Sequence, residues 1–194
     1  PFYGNLDVSG EMTVPIDVNY FGFWVEMLLG ADGSAVGGAK VVNGTMPTAS
    51  FEKGFTDIPE FFTYVAVKLN QMSLTFGGDG ELTANMSLVG TTEATSATSN
   101  DAAPTSLTYI PYQNFDATIK EGGSTIAYVS EVSLDINNNL STDIYTIGAA
   151  GTRSCMTEGK MEISGTLTAL FKDMTLLDKA IANTESSLEI TLTR

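Results

Sequence analysis

Apolar and polar residues take turns along most of this chain, and that period of two constrains its fold class more than any other feature. Leu6, Val8, Gly10, Met12 and Val14 fall on one phase, with Asp7, Ser9, Glu11 and Thr13 on the other, before Pro15 ends the run. Val65, Val67 and Leu69 alternate in the same way, and the phase resumes one residue late at Met72, Leu74 and Phe76. The slip predicts a β-bulge near Asn70 and Gln71. "GGDG" (77–80) predicts a turn, and Leu82, Ala84, Met86 and Leu88 the returning strand of a hairpin. Further strands are expected around Ala49 and Phe51, at Val132, Leu134 and Ile136, from Met161 to Phe171, and in the closing "SLEITLT". The order and phase of 71–90 return in 131–169, as though one hairpin unit were used twice. Its first copy has a tight turn, its second a connection over 137–160, and a loop of that length inside a compact domain normally has a use.

Two segments break the period. In "IDVNYFGFWVEMLLG" (16–30), Val18, Phe21, Trp24 or Val25, and Leu28 recur at helical spacing, predicting a helix over 18–29 with Asp17 near its start and Gly30 closing it. "DMTLLDKAIAN" (173–183) predicts a second, short helix capped by Asp173, with Leu176, Leu177, Ala180 and Ile181 on one face. The Gly-rich 31–47 reads as a surface loop, and the small, low-complexity 91–106 as an exposed linker. The expected fold is mainly β: an antiparallel β-sandwich or barrel in a single domain, 1–194, with one packed helix, a second short helix and a long inter-strand loop.

Composition then narrows the chemistry. Histidine is absent, which removes the commonest general base and the usual zinc ligand. Cys155 is the only cysteine, so it has neither a disulfide partner nor a histidine to activate it. Asp135, Asn137 and Asn139 occupy the first, third and fifth positions of an EF-hand calcium loop, but Leu140 and Thr146 stand where that loop needs Gly and a bidentate Glu. We therefore read the asparagine run as a polar strand end entering a loop. Sequons at Asn43, Asn85 and Asn139 are as frequent as chance predicts. Acid pairs such as Asp79 with Glu81 are expected among 23 acids, and Phe21, Phe23 and Trp24 read as core or subunit contact. No catalytic residue, cofactor or metal is expected. No apolar run is long enough to span a bilayer, so the chain reads as soluble, from a reducing compartment. Its net charge of −14 opposes a surface that grips phosphates. What remains is architectural: paired strands whose sheet edges must be covered or used.

Four stretches carry a family resemblance: "DVSGEMTVPIDVNYFGFWVEMLLG" (7–30), "FEKGFTDIPEFFTY" (51–64), "MSLTFGGDGELTANMSLVGTTEATSA" (72–97) and "VSLDINNNLSTDIYTIGAAGTRSCMTEGKMEISGTLTALFKDMTLLDK" (132–179). They resemble, collinearly and over most of the chain, the tail tube proteins (major tail proteins) of tailed bacteriophages. The resemblance implies a structural virion protein and not an enzyme, made in the host cytoplasm. In this family subunits form hexameric rings that stack into a hollow tube, each lending strands of two hairpins to one inner barrel. The implied partners are other copies of the chain, the tape measure, tail terminator and baseplate or tip proteins, a sheath where the tail is contractile, and DNA passing through without specific binding; no membrane insertion is implied.

On that reading the 137–160 loop is an assembly loop reaching a neighbouring subunit or ring, with Asn137, Asn138, Asn139, Asp143, Arg153 and Glu158 as its candidate contacts. Glu81, Glu131, Asp135 and Glu162 are the candidate lumen acids, since carboxylates repel DNA where lysine or arginine would hold it. Two other classes share the composition: a β-sandwich adhesin or carbohydrate-binding module, and the tube of a related injection machine such as type VI secretion. Self-assembly separates a tube from a lectin.

Overall fold

The computed structural model describes residues 4–30, 45–55, 57–126, 128–170 and 174–194. It is mainly β and antiparallel, as the alternation requires. The strands are β1 (Val8–Pro15), β2 (Ala49–Phe55), β3 (Glu60–Phe76), β4 (Thr83–Gly90), β5 (Thr92–Ser96), β6 (Ala117–Glu121), β7 (Ser124–Thr125), β8 (Val129–Asn137), β9 (Glu162–Ala169) and β10 (Leu188–Leu192). The helices are α1 (Phe21–Leu29) and α2 (Thr175–Ile181).

One sheet has the order β1-β4-β3-β8-β9; a second, smaller sheet has the order β10-β6-β7. The two hairpins read from the sequence, β3–β4 and β8–β9, lie side by side through β3 and β8. The expected bulge is present, with the β3–β4 register slipping between Leu69 and Gln71. The 17-residue β3 also carries an arm, because its first half pairs with β2 on one side and β5 on the other. Where arm meets sheet, Ala66 takes a left-handed backbone, φ 51°, beside a register shift in β2.

Alternation aims Met72, Phe76, Ala84, Met86, Leu88 and Val132 at one face, where they are buried with Met27 and Leu28 of α1. Ile119, Ile190 and Leu192 of the smaller sheet close over the same core. The apolar face of the large sheet is thus covered by α1 and the small sheet, and among the described residues its other face is left bare.

Three expectations shift. The helix starts at Phe21 rather than residue 18, because Ile16 and Val18 are already engaged in backbone bonds to Tyr112 and Ile110 (2.9 and 3.1 Å). Asp17, 4% exposed, serves the intervening turn: its carboxylate accepts the amides of Asn19 (3.0 Å) and Tyr20 (3.1 Å). Asp17→Ala is expected to cost about 1–2 kcal/mol, read as a lower urea midpoint at unchanged slope, with Asp17→Asn retaining part of the loss.

Part of 91–106 is strand, not linker. Thr92 and Thr95 suit extended backbone, and β5 continues β4 along the same side of β3. Beyond it, hydrogen bonds from the Ser99 hydroxyl and then the Asn100 amide tie the loop to Glu52 and hold that carboxyl below its usual titration range.

The apolar face of α2 is uncovered, with Leu176, Leu177 and Ile181 all exposed. Lys179 fixes the helix to β6 through Glu121 (2.6 Å), whose carboxyl that bond, followed by one from Ser186, holds low. Phe171, Asp173 and most of the 31–47 loop lie outside the described residues.

Candidate functional site

The bare face is built row by row from the strand registers. One row runs Glu11, Ser87, Gln71, Asn137, Glu162, and the next Thr13, Asn85, Ser73, Asp135, Ser164. A third adds Thr75, Ser133 and Thr166, and Glu131 stands opposite Thr168 beyond it. Neighbours on these rows bond to one another: the Thr13 hydroxyl donates to Asn85 Oδ1 (2.7 Å), and the Ser73 hydroxyl and the Gln71 amide (3.3 Å) both donate to Asp135 Oδ1. The result is a wall of hydroxyls and amides studded with carboxylates.

Lys68 is the one cation on these five strands, and Glu158 neutralises it at 2.8 Å. Three of the four candidate acids belong to the wall. Glu131 and Glu162 are exposed there, and Asp135 is half-buried among its donors. Glu81 does not: it precedes β4 and bridges to Gln113, at the end of the sheet. Glu11 joins the wall instead. Its phase in β1 was visible in the sequence, but only the pairing of β1 with β4 brings it beside the others.

The 137–160 segment carries no strand after β8 ends, yet its base is firmly bound to its own subunit. Asn138 is buried, and its side-chain amide donates to the carbonyls of Leu28 (2.9 Å) and Leu69 (3.1 Å), tying α1 to β3. Asn139 donates from its side chain to Lys160 O (2.9 Å), and Asn137 Oδ1 accepts the Asn139 amide (2.8 Å). Ser141 bridges Thr157, and Leu140 and Met156 are buried.

Arg153, 4% exposed, is the second anchor. Its guanidinium donates to the carbonyls of Thr142, Gly90 and Val8 and to the Asp7 carboxylate (2.6 Å), joining the loop to the start of β1 and the end of β4. Asn138 and Arg153 therefore spend their donors inside the fold, a correction to their reading as outward contacts. A buried amide or guanidinium needs such partners, and here the subunit supplies them. Asp143 and Glu158 are exposed. Between the anchored ends a turn projects, closed by the Ala149 amide on Thr146 O (3.1 Å) and the Thr152 amide on Ala149 O (2.9 Å), with Ile147 at its tip fully exposed.

A family model described as phage tail tube protein matches residues 1–194, the whole chain. No curated protein matches it.

Proposed function

The chain belongs to the phage tail tube protein family, and from that premise we propose that six copies close into a ring, that rings stack, and that the bare sheet face lines the bore through which DNA leaves the virion. The observation that carries the reading is a sheet that, among the described residues, is covered on one face only, is polar and acidic on the other, and has no strand partner beyond either outer strand. Such a sheet leaves backbone groups unpaired at β1 and β9, and joining copies edge to edge satisfies them. Barrels beyond about sixteen strands leave an aqueous channel, so pooling strands from several copies encloses a conduit that one chain cannot.

The wall chemistry fits the passage of DNA. Glu11, Glu131, Asp135 and Glu162 repel phosphates within a Debye length of about 8 Å, and hydroxyls and amides stay wetted without holding a polyanion. The role is structural. Its partners are further copies of the chain, the tape measure, the tail terminator and the tip proteins, and assembly takes place in the host cytoplasm. An adhesin reading finds less support, because the family model that matches the whole chain is that of a tail tube protein.

The test is negative-stain microscopy of the purified protein at rising concentration: rings or tubes are expected, and a monomer throughout overturns the reading. Within the 137–160 assembly loop, the exposed tip at Ile147 is the part we propose to reach a neighbouring subunit or ring. Ile147→Asp is expected to leave the circular dichroism of the subunit unchanged while tube length falls at least tenfold on the same grids, since an apolar tip is desolvated on docking and a carboxylate resists that.

A further inference from the structure

The arm joins the main sheet across one level, and each of its strands breaks there. β3 bends at Ala66 (φ 51°), β2 shifts register between Ala49 and Phe51 beside it, and Thr91 lies outside both β4 and β5. Alanine holds a left-handed backbone only where its surroundings impose it. Beyond that level the arm stands largely by itself, because β2 and β5 pack chiefly on β3. Its outer contacts stay within it or within the loop it carries: Phe55 meets Phe62 edge-on at 5.9 Å, Lys53 lies over Phe55, and the Asn100 side-chain amide donates to Glu52 (2.7 Å) and Thr63 (2.6 Å). Phe51, stacked on Trp24 of α1 at 6.0 Å, ties the base of the arm to the body.

A second tie comes from the 137–160 segment. The Arg153 amide donates to Thr91 O (3.3 Å), and its guanidinium donates to Gly90 O and to Val8 O (3.3 Å), so one residue clasps the break between β4 and β5. Thr91 passes that hold to β3. Its amide (3.0 Å) and its hydroxyl (3.1 Å) both donate to Val65 O, beside Ala66. The approach is close: a Cβ on Gly90 would lie 2.9 Å from Val8 Cγ1 and 3.2 Å from Val67 Cγ2.

We propose that the level of Ala66 and Thr91 is a hinge and that Arg153 is its latch. With the latch engaged the arm keeps one orientation; once the 137–160 segment draws Arg153 away, the arm swings as a unit against the sheet. Ile147, at the exposed tip of the same segment, gives a partner a place from which to pull on that latch. The inference concerns one subunit and does not depend on the ring reading.

Pulsed electron paramagnetic resonance on dilute, unassembled subunits tests it. In a Cys155→Ser background, nitroxides on Thr95→Cys in β5 and Glu162→Cys in β9 report the arm against the sheet, and Glu11→Cys with Glu162→Cys reports the sheet against itself. The unsubstituted hinge and latch are expected to give one narrow arm distance. Arg153→Lys is expected to widen that distribution about twofold or more and leave the sheet pair unchanged, since one ammonium cannot hold carbonyls that a planar fork reaches together. Ala66→Gly should widen it as well, because glycine takes either sign of φ readily. A distribution as narrow in both variants as in the parent overturns the proposal, as does widening shared by the sheet pair or confined to one variant. An arm already broad in the parent overturns the latch. Should Arg153→Lys fail to fold, Thr91→Val, which removes only the hydroxyl's bond to Val65 O, takes its place in the same comparison.

Discussion

Replacing Arg153 with alanine should cost the subunit about 3 kcal/mol, roughly a 150-fold loss in its folding equilibrium. The side chain is 2% exposed, whereas that of its ionic partner Asp7 is 67% exposed. A carboxylate so well solvated contributes little through the ion pair. The larger effect comes from the carbonyls of Val8, Gly90 and Thr142, which lose their side-chain donor in a buried place that water reaches poorly. Each hydrogen bond to a charged donor of this kind contributes about 1.5–3 kcal/mol, and relaxation of the loop together with the carbonyls' remaining ladder partners recovers part of the total. Two controls separate these contributions. Asp7→Asn should cost less than about 1 kcal/mol, as exposed ion pairs do. Arg153→Lys should fall between wild type and alanine, since one ammonium cannot span carbonyls that a planar fork reaches together. Urea unfolding with unchanged slope is the measurement. An alanine variant within about 0.5 kcal/mol of wild type would remove the anchor role, and with it the clasp at the start of β1.

Charge reversal on the bare face should slow DNA ejection about tenfold or more at low salt. Glu11, Glu131 and Glu162 are the positions to change to lysine; Asp135 is left alone because Ser73 and Gln71 bond to it. Each substitution shifts the wall by two charges and offers phosphates a site that releases counterions, so DNA is held where it formerly slid. The retardation should fade above about 0.5 M salt, where the Debye length falls to roughly 4 Å. Glutamine at the same positions should have a small effect, which distinguishes lost repulsion from gained attraction. Glu81→Lys is the internal control, being off the wall. Fluorescent dye entering ejected DNA gives the rate. Equal rates for the lysine variant and wild type at low salt would take these residues out of the bore.

Local regularities were legible in the sequence because strand and helix periods need only near neighbours. The bulge at Asn70 and Gln71, the GGDG hairpin and the pairing of like phases in β8 and β9 all follow from which residues alternate. The boundary of α1 did not follow, because residues 16–18 pair with 110–112 and a distant segment sets where the helix begins. The edge strand β5 was hidden for a related reason: small polar residues such as Thr92 and Thr95 look like linker until β3 offers them a partner.

The candidate site divides along the same line. By itself the sequence determined that the strands have one polar phase, that this phase is acidic and nearly free of cations, and that no histidine serves it. Only the tertiary structure decided that Glu11 stands with Glu162 and that Glu81 does not, because the order of strands depends on contacts between residues far apart in the chain. It likewise decided that Asn138 and Arg153 face inward. A polar side chain declares its need for partners in any sequence, but whether the subunit or a neighbour meets that need depends on which carbonyls folding brings within reach.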